Sequence, residues 1–291
     1  MASLPLISYQ LINGIIWGLI VALLATGLNL IYGLLNIVNV AQGAFYMLGA
    51  YLAWLSWSMT GSFAIGVALA PLLVGAAAIF VERTIIRPIE HDHDLTIIMT
   101  IGLSLVIEQS VHAIFGGEIR SVGSPLIFTI PIFGLGYPGF RIVLAGIALA
   151  ALVALWHFLN RTRYGLWIRA VRYNPSIAQA VGVPTEQIYA VTFGIGTGLA
   201  VLGGALASPI VTVRPEMGVD IIVLVFVVVI VGGLGNIFGC AAIAGLIASV
   251  EGLAVVYTTP TMARVISLAV IAIVILRWPD GIAASRSFRR G

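Results

Sequence analysis

Lysine is absent from this chain and cysteine nearly so. All 14 basic residues are arginine, against 11 acidic ones, and Cys240 stands alone. A single cysteine excludes a disulfide within the chain and a thiolate metal site. Without lysine there is no phosphate loop of the pattern Gly, four residues, Gly-Lys-Ser/Thr. The glycine-rich stretch Gly232–Gly239, GGLGNIFG, lies between two apolar runs and reads as a tight turn. Nothing else in the chain reads as a site that binds and hydrolyses ATP. Charged residues make up only 9%, where a soluble domain carries about 25%. The net charge of +3 is small and argues against a nucleic-acid surface. Ser, His and Asp show no arrangement resembling a hydrolytic triad.

What the chain has instead is apolar length. Sixty per cent of the residues are hydrophobic, and the mean hydropathy is +1.12. Runs suited to helices of about 20 residues, not ten-residue alternating strands, predict an all-α polytopic membrane protein. Candidate helices lie near 9–33, 43–59, 62–82, 95–115, 140–159, 189–208, 219–231, 240–257 and 262–278. The 219–231 run is too short to span alone, and NIVNVAQG interrupts the 36–59 stretch. Eight or nine crossings are therefore expected, some of them short or broken, in one membrane domain over 1–291. MASLPLISYQ has neither a basic n-region nor a small-residue cleavage site, so the first span is expected to be retained.

Arginines set the orientation. Arg83 and Arg87 share one side with Arg161, Arg163, Arg169 and Arg172 and with the tail arginines Arg277, Arg286, Arg289 and Arg290. Arg120, Arg141, Arg214 and Arg264 fall opposite. The positive-inside rule places the tail, 279–291, and both basic loops in the cytoplasm. Nine crossings put the N-terminus outside; eight put it inside. The basic segment 161–184 contains the loop Thr162–Pro184, TRYGLWIRAVRYNPSIAQAVGVP. In it Asn174-Pro175 reads as an N-cap and first-turn proline, and Gly182 as a C′ stop. A short helix over 175–181 follows, with Ile177, Ala178 and Val181 on one face, suited to docking a cytoplasmic partner.

Polar groups within the spans are few. Asn36, Asn39 and Gln42, with Gly43, bring amides and a close backbone into IVNVAQGAFYMLGAY. They read either as a broken helix lining a translocation path or as interhelical glue. Glu108 and His112 share a helix face toward the outer end of their span, and Glu251 can pair with Arg264 across a hairpin; both read as structural pairs before proton relays. His91-Asp92-His93-Asp94 reads as a solvated connector before a metal site. GxxxG spacings at Gly14/Gly18, Gly194/Gly198 and Gly235/Gly239 predict tight packing and a subunit interface. GLLNI (33–37) and GLGNI (233–237) echo each other, a hint of duplication.

In order along the chain, LINGIIWGLIVALLATGLNLIYGLLNIVNVAQGAFYMLGAY, TRYGLWIRAVRYNPSIAQAVGVPTEQIYAVTFGIGTGLAVLGGALASP, VGGLGNIFG and RWPDGI resemble the LivH-type permease of branched-chain amino-acid ABC importers. The resemblance covers nearly the whole chain. It implies a non-catalytic permease of the bacterial inner membrane, paired with a second, LivM-like permease. Two cytoplasmic ATPase subunits, which carry the ATP and Mg, and an extracytoplasmic solute-binding protein would complete the machine. The family's ATPase contact matches Arg169–Gly182 here, so Arg169, Arg172, Asn174, Pro175, Ile177, Ala178, Val181 and Gly182 are the implied coupling residues, seated helix-in-groove. The chain departs from the family at Gln42, where many members have histidine, and at Ala44, often a carboxylate. The solute is thus open between hydrophobic amino acids, urea and short amides, and small carboxylates. The competing reading is an autonomous secondary transporter or channel, with Glu108 or Glu251 handling protons.

Overall fold

The computed structural model describes residues 4–89, 92–124, 128–132 and 135–277. RWPDGI from Trp278 onward and the basic tail 279–291 lie outside the described residues, as does His91. Nine longer helices follow the nine apolar runs: α1 Leu4–Leu35, α2 Gln42–Thr60, α3 Phe63–Val81, α4 His93–Phe115, α5 Gly139–Arg161, α8 Thr185–Ala207, α9 Met217–Gly232, α10 Ile237–Val255 and α11 Pro260–Arg277. Between α5 and α8 run two shorter helices, α6 Arg163–Tyr173 and α7 Pro175–Ala180.

Among the described residues six helical stretches are long and apolar enough to cross a membrane: Leu6–Leu35, Phe63–Ile89, His93–Phe115, Gly139–Arg161, Thr185–Ala207 and Ile237–Val255. α9, with 16 residues, reaches about 24 Å against a hydrocarbon core of about 30 Å. Among the described residues two short strands depart from the helices. The loop after α4 carries an antiparallel hairpin, β1 Thr129–Ile132 and β2 Leu135–Pro138. The buried Tyr137 donates its hydroxyl to Asn13 Oδ1 of α1 at 2.7 Å, and Arg141 Nη1 donates to the same oxygen at 2.6 Å. The hairpin is thereby pinned to the N-terminal half of α1.

Local chemistry sets the boundaries. Asp92, Thr162, Asn174 and Asn236 each accept a bond from a first-turn amide, capping α4, α6, α7 and α10. Asn36 ends α1 with φ 54°, the left-handed conformation that asparagine tolerates better than most residues. The described core is built on α1 and α8, whose spans are the most buried, while α3, α4 and α5 expose most of their apolar surface. α2 crosses α8 so closely that a Cβ on Gly204 would stand 1.8 Å from the Tyr46 carbonyl. The GxxxG residues Gly14 and Gly18 face α10, and Gly194 faces Gly75 of α3. At Gly14, Gly18 and Gly194 these spacings pack the chain on itself, as the expectation of tight packing had it.

Candidate functional site

The basic end of the bundle gathers the segments that the arginines marked. There α5 stops at Arg161, and the chain turns through α6 and α7 before re-entering as α8. The sequence reading left α6 as loop, although Thr162 caps it and Tyr164, Trp167, Ile168 and Val171 recur at helical spacing. Its inner face buries Ile168 and Val171. The two arginines expected to meet a partner are exposed and at the same time bond backbone carbonyls of this chain. Arg169 donates to the Leu159 carbonyl of α5. Arg172 donates through Nη1 to the Gly235 carbonyl at 3.0 Å and through Nη2 to that of Leu234 at 3.4 Å.

α7 covers Pro175–Ala180, with Pro175 in its first turn and Asn174 Oδ1 accepting from the Ile177 amide at 3.0 Å. Gly182, with φ 85°, lies just past its end. Ile177 is 62% exposed and Val181 73%, whereas Ala178 is 3% exposed. The expected common face therefore needs correcting. Positions four apart share a face, so Ile177 and Val181 point outward together, while Ala178 is turned into the protein. Tyr173, at 92% exposure, extends the outward patch.

Where α8 begins, Arg87 ties it to the end of α3. Its guanidinium bonds Glu82 at 3.2 Å, Glu186 Oε2 at 3.0 Å and the Glu186 carbonyl at 2.7 Å. Glu82 is fully buried in a single π-helical turn, Glu82–Ile86. Sequence reading missed this clamp, because its partners are about a hundred residues apart.

The echoing GLxNI segments meet in space. Gly33 approaches Gly235, and Asn29 Oδ1 accepts from the Gly235 amide in the α9–α10 turn while its Nδ2 donates to the Gly233 carbonyl at 3.4 Å and reaches Cys240 Sγ at 3.0 Å. Arg172 closes the same turn from α6. This junction takes a positive φ at both Gly233 and Gly235.

The amide cluster lies deeper. Asn36 is exposed; Asn39 and Gln42 are fully buried. Asn39 Nδ2 donates to Gln42 Oε1 at 3.3 Å, and Gln42 Nε2 donates to the Gly196 carbonyl of α8 at 3.0 Å. Asn39 Oδ1 is buried without a partner. Gly43 packs on α9, where a Cβ would stand 2.3 Å from the Gly218 carbonyl. Thr100 Oγ1 of α4 bonds the Val38 carbonyl and the Val40 amide, at 3.2 and 3.3 Å. Thr100 lies about 10 Å along α4 from its first residue, so this loop sits inside the span. Gln42 acts as glue between α2 and α8; the free oxygen of Asn39 is not used that way.

Among the other candidates, Arg264 Nε stands 4.0 Å from Glu251 Oε1 as an ordinary pair. Asp92 is spent on capping α4, and no group of three His, Cys, Asp or Glu suited to a metal occurs among the described residues.

Comparison with known proteins follows this geometry. The high-affinity branched-chain amino acid transport system permease protein LivH of Salmonella typhimurium is 28% identical over 295 residues, covering 94% of each chain. LivH of Escherichia coli K12 is 29% identical with the same coverage, and BraD of Pseudomonas aeruginosa is 26% identical over 290 residues. A chain of PsaBC from Streptococcus pneumoniae, solved with a Fab, aligns over 96% of this chain and 94% of its own at 12% identity, with a TM-score of 0.48. The sequence profile of one family runs through residues 10–275, which take in every helix from α1 to most of α11. The chain belongs to that family, described as the branched-chain amino acid transport system permease component, the non-catalytic transmembrane part of such a system.

Proposed function

We propose that the chain is one membrane half of an ATP-driven importer of branched-chain amino acids in the bacterial inner membrane. A second, LivM-like permease is its mate. Two cytoplasmic ATPase subunits, one of which docks at α7, carry the ATP and Mg, and an extracytoplasmic binding protein delivers the solute. Nine helices cross the bilayer, which puts the N-terminus outside and the tail 279–291 in the cytoplasm. The arginine distribution supports that sense.

One observation carries the reading. Ile177 and Val181 stand exposed beside Tyr173 on a short helix whose flanks are tied to the bundle by Arg169, Arg172 and Arg87. An apolar pair held out to water on a braced support suits a helix-in-groove partner. Asn36, Asn39, Gln42 and Gly43 belong to the translocation path in this reading, and the unpaired Oδ1 of Asn39 is the atom free to meet a polar solute.

The test is reconstitution. The chain alone in proteoliposomes should move no leucine. Uptake should appear once the mate, the ATPases, the binding protein and ATP are supplied. Leucine uptake by the isolated chain under a proton or sodium gradient would refute the reading.

A further inference from the structure

The chain holds no acidic residue between Glu118 and Glu186, yet Arg161 and Arg163 stand within that stretch. The ion pairs of the described residues engage Arg87, Arg120, Arg214 and Arg264. Arg169 and Arg172 are spent on backbone carbonyls. Arg161 and Arg163 are exposed and have neither an ion pair nor a hydrogen bond among the described residues. They flank Thr162, where α5 gives way to α6. One elbow of the chain thus carries two guanidinium groups without a matching anion.

Aromatic rings gather at the same elbow. Trp156 packs on Phe238, the second residue of α10, with ring centres 6.4 Å apart. Phe158 stacks on Tyr164 at 6.4 Å, and Tyr164 meets Trp167 edge-on at 5.3 Å. Trp156, Tyr164 and Phe238 are exposed. Amphipathic rings of this kind sit at headgroup level, where a span leaves the bilayer. Toward the middle of α5 the exposed Leu149 and Val153 lead up to Trp156 at spacings of four and three, so this side of the span is apolar. Beyond the elbow Arg163, Leu166 and Trp167 share a face of α6 by the same spacing, and Arg163 and Leu166 are exposed. Trp156 and Arg161 are about 8 Å apart along the helix axis. Along this surface the order is apolar, then aromatic, then cationic, which is the order a phospholipid presents from acyl chain to phosphate.

We propose that the α5–α6 elbow binds the headgroup of an anionic phospholipid. Arg161 and Arg163 take the phosphate, whose oxygens match the planar guanidinium fork. His157, exposed one turn before Arg161 on the same side of α5, is a further donor. The partner is a lipid and not a soluble anion, because the apolar side of α5 and the ring belt continue the site into the hydrocarbon. α6 carries α7, so the bound lipid braces the support of the docking helix. Only this last consequence rests on the importer reading above.

The full chain, purified in a neutral detergent, supplies the test. Native mass spectrometry compares its retention of phosphatidylglycerol and of phosphatidylcholine with the same acyl chains. Phosphatidylglycerol should be held more tightly, and inorganic phosphate should not displace it. Arg161→Gln and Arg163→Gln should each weaken that retention about fivefold, the factor for one arginine at an anionic surface. Arg161→Lys combined with Arg163→Lys should keep most of it. A phosphatidylglycerol with a photoreactive group beside its phosphate should label the wild-type segment 156–167, which locates the site even where the glutamine variants fold poorly. Equal retention of the two lipids, unchanged retention by both glutamine variants, or labelling confined to other segments overturns the site. Displacement by inorganic phosphate overturns it in favour of a soluble anion. Loss of ATPase co-purification in the glutamine variants with lipid retention intact overturns it in favour of a protein contact. None of these readouts needs transport, so a wild-type complex that moves no leucine refutes the importer reading and leaves the lipid site standing.

Discussion

Replacing Arg172 by alanine should separate holding an ATPase from being driven by it. Arg172 reaches from α6 to two carbonyls of the α9–α10 turn, Gly235 at 3.0 Å and Leu234 at 3.4 Å. Hydrogen bonds to a charged partner contribute about 1.5–3 kcal/mol when well shielded. Here the contacts are exposed, so solvent screening lowers the pair to about 1–2 kcal/mol. That energy corresponds to a factor of about 5–30 in the ratio of latched to unlatched α6. Leucine taken up per ATP hydrolysed by the reconstituted importer should fall by a comparable factor. ATPase co-purification should not change, because Ile177 and Val181 are untouched. Arg172→Lys should recover part of the loss, since one ammonium cannot span both carbonyls as the planar fork does. The reasoning fails if the uptake-to-hydrolysis ratio of Arg172→Ala equals that of wild type, or if the variant loses its ATPases.

Two further outcomes are expected. Ile177→Asp should insert normally but lose ATPase co-purification, because it puts a charge where an apolar pair must be desolvated; retained co-purification would remove α7 as the docking element. Burial pushes the Tyr137 phenol above its ordinary value, with Arg141 pulling it back down. A raised folded-state pKa means that Tyr137 contributes stability fully present below pH about 10 and lost as pH climbs through the folded value. The thermal midpoint of wild type should therefore drop above pH 10 more steeply than that of Tyr137→Phe, and parallel alkaline slopes would contradict the assignment.

How much of this could be read in advance depended on the range of the interaction. Helix positions follow from apolar runs and local caps, so α1 to α5 and α8 to α11 were visible, as was the Asn174-Pro175 start of α7. α6 was hidden because the arginines of RYGLWIRAVRY suggested an open loop, although Tyr164, Trp167, Ile168 and Val171 already gave the period. The inward turn of Ala178 depends on what α7 packs against, which no local pattern contains. Arg169 and Arg172 show the same limit: their charge suggested a membrane side but not their partners within the chain, which are backbone carbonyls of α5 and of the α9–α10 turn. The amide cluster was legible as polar residues within a span. Only the fold could separate Gln42, engaged with Gly196, from Asn39, whose oxygen is unpaired.

These contacts also differ in strength, and the difference bears on how a pull on α7 would travel. One route leads through the start of α8 to the Arg87 clamp, where the fully buried Glu82 carboxylate holds the guanidinium. Breaking a buried pair by removing one partner costs about 3–5 kcal/mol. That pair fixes Arg87 at the end of α3, and Arg87 holds the start of α8 through the Glu186 carbonyl at 2.7 Å and its exposed carboxylate at 3.0 Å; with Gly75 and Gly194 in close backbone approach farther along, α3 and α8 move as one body. The other route leads through α6 and Arg172 to exposed carbonyls on a glycine turn, a link of about 1–2 kcal/mol by the screening argument. Strain applied at Ile177 is then taken up between the α3–α8 body and the α9–α10 pair. The α2 helix bridges these two parts, bonded to α8 through Gln42 and packed on α9 at Gly43 against Gly218. A shift between them falls on the loop that holds Asn39. The weaker link is thus the one whose yielding would open and close the path, and the stronger one supplies the fixed frame.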